Sequence, residues 1–191
     1  MSHQDSDIVR RISQGDRRAY AELIDRHKDR AMTLALRMLK NRADAEEALQ
    51  DAFVRAFGAL STFENKSTFA TWFYRIVFNV CSTQLSKRPK QREASYQADA
   101  DEGGAPEPVS DDMPDVDYES AEFQSIVHDA IGAMPEQYAA VLTLFYVQEM
   151  GYDEIVEVTG LPLGTVKNRL FRARVLLQRS VLKRLGEGEY A

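Results

Sequence analysis

Apolar residues recur along this chain at intervals of three and four positions, and no segment alternates apolar and polar residues. The first spacing is that of one face of an α-helix, whereas alternation would indicate a β-strand. The sequence therefore predicts an all-α protein. In residues 1–92 four helices are expected: one that Asp5 or Ser6 caps and that ends at Gly15, one that Asp16 caps, one that begins at Asp44, and one from about Thr68 to Leu85.

The apolar stripes of these helices give the residues expected in the core. On the third helix the stripe leaves the opposite face polar, as in a helix that packs on one side. The fourth helix carries so many large rings that most of them must be buried. The core residues expected from these two helices are Ala45, Ala48, Leu49, Ala52, Phe53, Ala56, Phe57, Phe69, Trp72, Phe73 and Tyr74.

After residue 122 the pattern predicts four further helices. Phe123 opens the first, Pro135 suits the first position of the second, and Gly151 is expected to end that helix. Residues 152–159, YDEIVEVT, then form a short helix, and Gly160 supplies the left-handed residue at its end. A short helix, a tight turn with glycine and a second helix form the helix-turn-helix pattern of DNA-binding proteins.

The helix that follows this turn has one apolar and one polar face. The polar face offers a point charge, an amide, an aromatic edge and a planar guanidinium, which are groups that contact phosphates and base edges in the major groove. A solvated basic helix would give a similar run of charge, but the turn and the apolar stripe favour DNA binding. The inward residues are Val166, Leu170, Ala173 and Leu177; the outward ones are Gly164, Lys167, Asn168, Phe171 and Arg172, flanked by Arg169, Arg174 and Arg179.

The charge of the chain is unevenly distributed. The formal net charge is −6, yet residues 1–92 carry a net +6 and residues 93–122 a net −11 with no cation. All seven cations of the remaining segment lie between Leu163 and Leu185, where there is no acid. The acidic tract has prolines and a Gly-Gly pair but no apolar periodicity, so it is expected to be a flexible linker. We therefore expect domains at residues 1–92 and 122–191, joined by a linker at residues 93–121.

Cysteine content and hydropathy narrow the class of protein. Cys81 is the only cysteine, which excludes an internal disulfide and a cysteine-rich zinc cluster. The N-terminal MSHQDSDIVRR has no apolar signal region, and no apolar run approaches the roughly 20 residues of a membrane span. We expect a cytoplasmic protein without metal or cofactor. Cys81 is interpreted as structural, and His27 and His128 are interpreted as core or surface residues without an assigned function.

Two long parts of the sequence resemble the bacterial sigma-70 family. NRADAEEALQDAFVRAFGAL and FENKSTFATWFYRIVFN are similar to its core-binding and promoter-melting parts. Together with PEQYAAVLTLFYVQEMGYDEIVEVTGLPLGTVKNRLFRARVLL, they resemble the extracytoplasmic-function group, the smallest of the family. The resemblance covers about residues 5–90 and 122–185. It implies two small helical domains, a region 2 bundle and a region 4 helix-turn-helix, in a factor that is not an enzyme.

The resemblance implies that the third helix binds RNA polymerase core. The family's second region binds the β′ coiled coil, and acids with an amide suit an arginine-rich surface. Spacing alone would favour a solvated helix face at this position. The residues concerned are Glu47, Gln50 and Asp51.

The resemblance further implies two DNA contacts. A base of the minus-ten element would be held out of the stack at the loop that begins at Phe63, and cations nearby would neutralise the backbone. The minus-ten residues are Phe63, Asn65, Lys66, Ser67, Arg75, Asn79, Lys87 and Arg88. The minus-thirty-five residues are Gly164, Thr165, Lys167, Asn168, Arg169, Phe171, Arg172 and Arg174.

The implied partners are promoter DNA, the β′ coiled coil and β flap of RNA polymerase, and a cognate anti-sigma factor, with no small-molecule substrate and no membrane insertion. The linker could thread towards the polymerase cleft, remain extended, or shield a basic face. One alternative is a stand-alone helix-turn-helix regulator that needs no polymerase. Another is a helical enzyme that uses Asp44, Glu47 and Asp51, which the sequence disfavours because no paired histidine or second carboxylate helix accompanies them.

Overall fold

A computed structural model describes residues 2–64, 66–87 and 121–188 of the protein. In these ranges the chain forms α-helices and one short 3-10 turn, Leu60–Thr62, without any β-strand. The all-α prediction is thereby confirmed. The helices are α1 (Ser2–Ser13), α2 (Arg18–Leu39), α3 (Arg42–Ala59), α4 (Phe69–Lys87), α5 (Ala121–Ala133), α6 (Glu136–Tyr146), α7 (Tyr152–Thr159) and α8 (Leu163–Gly188).

The first two helix starts differ in part from the expectation. Helix α1 already begins at Ser2, so Asp5 lies within it rather than capping it. The Asp5 side chain is instead buried against α2, where Oδ2 lies 3.2 Å from His27 Nε2. Asp16 does mark the start of α2, because its Oδ1 accepts a hydrogen bond from the Arg18 backbone N–H at 3.0 Å. Periodicity alone could not foresee that an acid near the N-terminus would pack inward.

The third helix begins two residues earlier than predicted. Asn41 is its N-cap, with an extended backbone and a side-chain oxygen that accepts the Asp44 N–H at 3.1 Å. An asparagine in this position satisfies one of the free N–H groups of the first turn. The predicted apolar stripe is confirmed: Ala45, Ala48, Leu49, Ala52 and Ala56 are all buried.

Aromatic rings join α2, α3 and α4 through a continuous cluster. Phe73 is fully buried and stacks on Phe53 of α3 with 4.7 Å between ring centroids. Phe53 in turn lies 5.7 Å from Phe57, whose ring meets Tyr20 of α2 edge-on at 4.7 Å. Such offset and edge-to-face pairs add to the free energy gained from burying the rings alone. The cluster fixes α4 against α3, and the expectation that the α4 rings belong to the core is confirmed.

The helix-turn-helix forms as the sequence predicts. Gly160 ends α7 in the left-handed region with φ 71°, and α8 begins at Leu163 after Pro162. The inward residues Val166, Leu170 and Ala173 are fully buried, and Leu177 is partly buried. Pro135 is the N-cap of α6 rather than its first residue, and α6 ends at Tyr146, before Gly151.

The N-terminal helices α1–α4 and the C-terminal helices α5–α8 pack directly on each other. Helix α2 contacts α6, and α4 contacts α7, so the buried apolar residues of both groups form one continuous cluster. We call this packing the closed contact. The predicted linker at residues 93–121 falls outside the described residues, apart from Ala121, which begins α5.

The glycine between α7 and α8 is expected to be required for stability. Gly160→Ala would place a Cβ on a residue with φ 71°, which costs roughly 1–2 kcal/mol even though no neighbouring atom obstructs it. Gly164→Ala is the matched control, because Gly164 lies in α8 with open space around it and ordinary helical φ. The measurement is the urea midpoint of unfolding, which should fall for Gly160→Ala alone. Equal midpoints for both variants would contradict the role assigned to the turn.

Candidate DNA and polymerase-binding surfaces

The outward face of α8 lies opposite its buried stripe, as expected for a recognition helix. Gly164, Lys167, Asn168 and Phe171 are exposed, and Phe171 keeps 41% of its surface accessible. Packing within the chain leaves about two fifths of the Phe171 surface in contact with solvent. The remaining predicted residues sit at the edges of the face: Thr165, Arg169 and Arg172 are half-buried and Arg174 is exposed.

Two cations of this surface contact rings of the neighbouring helices. The ammonium of Lys167 lies 5.9 Å from the ring centroid of Tyr152 at the start of α7. Arg174 donates from Nε to the hydroxyl of Tyr146 at 2.9 Å, and its guanidinium lies 5.3 Å from the Phe145 ring. Stacked arginine is held in one orientation. Arg174 therefore packs against the end of α6, whereas Lys167 remains on the exposed face of α8.

A second surface lies on α3, on the side opposite the alanine stripe. Glu47 and Gln50 are exposed, and Asp51 is held by Arg55, whose Nε donates to Oδ1 at 2.9 Å. Val54 lies on the same face and is 72% exposed, more than any other large apolar residue of the described chain. An exposed valine beside charged residues is a combination that binding surfaces use.

The sequence interpretation missed Val54, although a signal was present. Val54 follows Glu47 by seven residues, and a spacing of seven returns to the same helix face. An apolar residue at that spacing on an otherwise polar face could have been recognised as part of the surface. We name the set Glu47, Gln50, Asp51 and Val54 the α3 face.

The loop before α4 is anchored by its first residue. Phe63 packs against Trp72 and Phe69, with ring centroids 5.1 and 6.1 Å away. Thr68 caps α4, because its Oγ1 accepts the Thr71 N–H at 3.1 Å. Lys66 is exposed and pairs with Glu64. Asn65 and Arg88 were also predicted to contact the minus-ten element, and both lie outside the described residues.

The other predicted minus-ten residues lie further along α4. Arg75 and Asn79 are exposed one helical turn apart on one face, and Lys87 is exposed near the end of the helix. Asn79 follows Phe69 by ten residues, which corresponds to about 15 Å along the helix axis. The structure therefore brings Arg75 and Asn79 together but separates Asn79 from the loop at Phe63.

Acids of α3 and the end of α4 line a common cleft of about 330 Å³. Asp44, Glu47 and Asp51 face it from α3, and Lys87 faces it from α4. Within the described residues no three His, Cys, Asp or Glu side chains converge as ligands for a metal ion. The cleft is thus a mixed-charge surface rather than a carboxylate site.

Two residues without an assigned function are accounted for by packing. Cys81 is fully buried on α4, and burial raises the pKa of its thiol to about 12, so the thiolate is disfavoured. Tyr74 is also buried, and desolvation raises the pKa of its phenol. In the part of the chain that the structure describes, no helix has the length and hydropathy needed to cross a membrane.

The two groups of helices match two family models. The model of sigma-70 region 2 matches residues 23–91, which include α3, the loop and α4. The model of sigma-70 region 4 matches residues 124–177, which include the helix-turn-helix. The chain thus has the two promoter-recognition regions of a sigma-70 protein, in the order expected from the sequence.

Curated relatives narrow this class. The ECF RNA polymerase sigma factor SigW of Bacillus subtilis is 31% identical over 180 residues, covering 91% of this chain and 94% of that protein. The ECF RNA polymerase sigma-E factor of Escherichia coli strain K12 is 33% identical, covering 95% of this chain and 97% of that protein. The chain belongs to the extracytoplasmic-function sigma factors of the sigma-70 family, and the resemblance found in the sequence is confirmed.

Two solved complexes share the fold. CnrH in complex with the cytosolic domain of CnrY gives a TM-score of 0.61 at 23% identity, over 90% of this chain and 93% of that chain. The sigma factor RpoE in complex with the anti-sigma factor NepR from Bartonella quintana gives a TM-score of 0.62 at 23% identity, over 86% of this chain and 96% of that chain. At this identity the likeness concerns the fold alone.

Proposed function

We propose that the protein directs RNA polymerase core to specific promoters through three surfaces. The α3 face binds the β′ coiled coil of core, the outward face of α8 reads the minus-thirty-five element, and the loop at Phe63 with Arg75 and Asn79 acts on the minus-ten element. The observation that carries this proposal is the presence, on one chain, of a basic helix-turn-helix face and of an acidic α3 face that also exposes Val54. A DNA-binding protein that works alone has no use for the second surface.

The proposal has further parts that rest on the family. The protein is a non-catalytic cytoplasmic factor, with a region 2 domain at residues 1–92, a linker at 93–121 and a region 4 domain at 122–191. The matched ranges 23–91 and 124–177 support these boundaries. The β flap of core would be a further contact of the protein. An anti-sigma factor is a proposed partner, since both fold neighbours were solved in complexes and one partner is named an anti-sigma factor.

Dependence on core polymerase tests the proposal as a whole. The full chain is mixed with a promoter fragment, with and without purified core, and specific binding is measured by competition with unrelated DNA. A sigma factor should bind specifically only when core is present. Specific binding by the chain alone would indicate a stand-alone regulator instead.

Changing the α3 face should abolish association with core. In the double variant Gln50→Ala and Asp51→Arg, a cation replaces an acid at the proposed interface, so we expect core affinity to fall at least tenfold. Neither residue belongs to the buried stripe, and a new like-charge pair with Arg55 costs only about 0.2–0.5 kcal/mol. Asp7→Arg is the control, since Asp7 is an exposed acid on α1 paired with Arg10. Co-purification of the double variant with core would place the binding surface elsewhere.

Changing the α8 face should weaken recognition of the minus-thirty-five element. Arg172→Ala removes a guanidinium able to read a base edge, a contact worth roughly 1–3 kcal/mol of binding free energy. Lys167→Ala should instead weaken binding to all DNA sequences alike, and it should reduce the slope of log affinity against log salt concentration by about 1. Lys183→Ala is the control, because it removes a cation about 24 Å further along the same helix than Lys167. Fluorescence anisotropy of the polymerase complex on intact and altered elements measures both effects. Equal promoter affinities of Lys167→Ala and Lys183→Ala would contradict the assignment of the outward α8 face to the minus-thirty-five element.

Changing Asn79 should impair promoter opening more than closed-complex binding. Moving a base out of the stack costs a few kcal/mol, and the contacts that hold the base must recover this free energy. An amide that donates and accepts a hydrogen bond at once can supply part of it. Lys66→Ala should have a smaller effect that shrinks at high salt. Gln14→Ala, an exposed amide in the turn after α1, is the control. Permanganate reactivity of thymines near the start site measures opening, and wild-type reactivity of Asn79→Ala would exclude Asn79 from the melting surface.

A further inference from the structure

Two adjacent arginines, Arg17 and Arg18, lie at the start of α2, and we name them the arginine pair. Arg17 is the N-cap of the helix and Arg18 is its first residue, and the first turn contains no acid. Both side chains are exposed, and within the described residues neither has a hydrogen-bond or ion-pair partner. A cation is also disfavoured at this position, because the N-terminus of a helix carries a partial positive charge. The arginine pair therefore adds charge to the surface without stabilising the helix that carries it.

The acids nearest to the pair in sequence are already engaged by Arg11 of α1. Asp16 Oδ2 accepts hydrogen bonds from Arg11 Nε at 3.0 Å and from Nη2 at 2.7 Å. The two oxygens of Glu22, one helical turn after Arg18, accept hydrogen bonds from Arg11 Nη1 at 2.7 Å and from Nη2 at 2.8 Å. These hydrogen bonds lower the pKa of both carboxyl groups, so Asp16 and Glu22 stay ionised partners of Arg11. The arginine pair is thereby left without a counter-charge.

The start of α2 lies at the same end of the N-terminal helices as the loop at Phe63. Helices α2 and α3 pack on each other and are joined by only two residues, so they run antiparallel and the start of α2 lies beside the end of α3. The ring of Tyr20 accordingly meets Phe57 edge-on at 4.7 Å. The end of α3 leads through the turn at residues 60–62 directly into the loop. The arginine pair and the loop therefore share one end of this group of helices.

Packed rings keep the arginine pair and the loop in a fixed relation. A series of rings runs from α2 to the loop, each in contact with the next at centroid distances between 4.7 and 6.1 Å: Tyr20, Phe57, Phe53, Phe73, Phe69 and Phe63. Glu64 of the loop is paired with Lys66. The unpaired charge at this end of the described helices is therefore positive, and it lies at a fixed distance from the loop.

We propose that the arginine pair binds backbone phosphates of the DNA strand that is opened at the loop at Phe63. The inference rests on the proposed function, in which this loop and Asn79 act on the minus-ten element. A guanidinium holds a phosphate through paired N–H···O bonds and keeps its charge at any physiological pH. Phosphate contacts position a strand without reading its sequence. The arginine pair therefore holds the opened strand in place while the loop contacts its bases.

A DNA strand suits the arginine pair better than an acidic surface of core does. The proposed contact with core is made by the α3 face, which is itself acidic and lies along the middle of α3 rather than at its end. Residues 17 and 18 also precede the range 23–91 that the region 2 model matches. The pair thus extends the minus-ten surface beyond the residues predicted from the sequence.

The double variant Arg17→Gln and Arg18→Gln tests the inference in the complex of the full chain with core. Glutamine keeps a long polar side chain and a high helix propensity but removes both charges. The matched control is Lys28→Gln with Arg42→Gln, which removes two exposed cations from α2 and α3 away from this end. The urea midpoint of the arginine variant should stay at or above that of the wild type, because the helix N-terminus loses two unfavourable charges.

Binding is measured on a promoter fragment whose minus-ten region is held open by mismatches, over a range of salt concentrations. Each contact with a single-strand phosphate contributes about 0.7 to the slope of log affinity against log salt concentration, so the arginine variant should lose about 1.4 of this slope. At about 0.1 M salt its affinity for the opened fragment should fall more than tenfold. Its closed-complex affinity for the fully paired fragment should be unchanged, and the control variant should match the wild type on both fragments.

Neutral phosphates locate the contact. Methylphosphonate groups are placed one at a time along the opened strand, and each removes one phosphate charge. At one or two neighbouring positions the replacement should weaken binding of the wild type but not of the arginine variant, because the variant has already lost that contact. Positions that other residues contact should weaken both proteins equally.

Several outcomes would overturn the inference while leaving the proposed function intact. The arginine variant could bind the opened fragment as tightly as the wild type, or no position could show the non-additive effect of a neutral phosphate. A loss of affinity for core in the absence of DNA would assign the arginine pair to a protein contact, and a lower urea midpoint would assign it to the fold. Failure of the wild-type complex to bind the opened fragment would instead refute the proposed function itself.

Discussion

The packing of α4 against α3 through their rings is the constraint on which the rest of the N-terminal half depends. Phe73 and Phe53 stack at 4.7 Å, and Phe63 at the start of the loop joins the same set of rings through Phe69. The α3 face and the loop at Phe63 are therefore fixed relative to each other by buried aromatic surface. In the proposed function α3 binds polymerase and the neighbouring loop acts on DNA, so a tilt of one element would misplace the other.

The helical core and the outward face of α8 could be predicted because both depend on local periodicity. The stripe from Ala45 to Ala56 and the inward set Val166, Leu170 and Ala173 were predicted and are buried. The left-handed turn at Gly160 followed from residue type alone. The roles of Asn79 and of Glu47 came only from the family resemblance, because an exposed polar residue on a helix carries no periodic signal that separates a binding surface from a solvated one.

The closed contact could not be predicted from the sequence. Arg37, Lys40, Thr71 and Gln148 add hydrogen bonds to its apolar packing, and each is a polar residue that a periodic pattern places at the surface. Asp5 is a further example, since an acid in a first turn is expected to favour the helix dipole rather than a buried position beside His27. The partners of all these residues are distant in sequence, so that only the folded chain brings them together.

The hydrogen-bond acceptors in the closed contact affect how the contact can be conserved while the sequence diverges. Arg37, Lys40 and Gln148 all bind backbone carbonyls, and a backbone carbonyl is present whatever side chain occupies positions 128, 132, 134 or 30. Substitutions on the accepting side leave the bonds intact, and no compensating change is needed on the donating side. Relatives could therefore keep the contact while their interface sequences diverge, and pairwise covariation would be a poor detector of it.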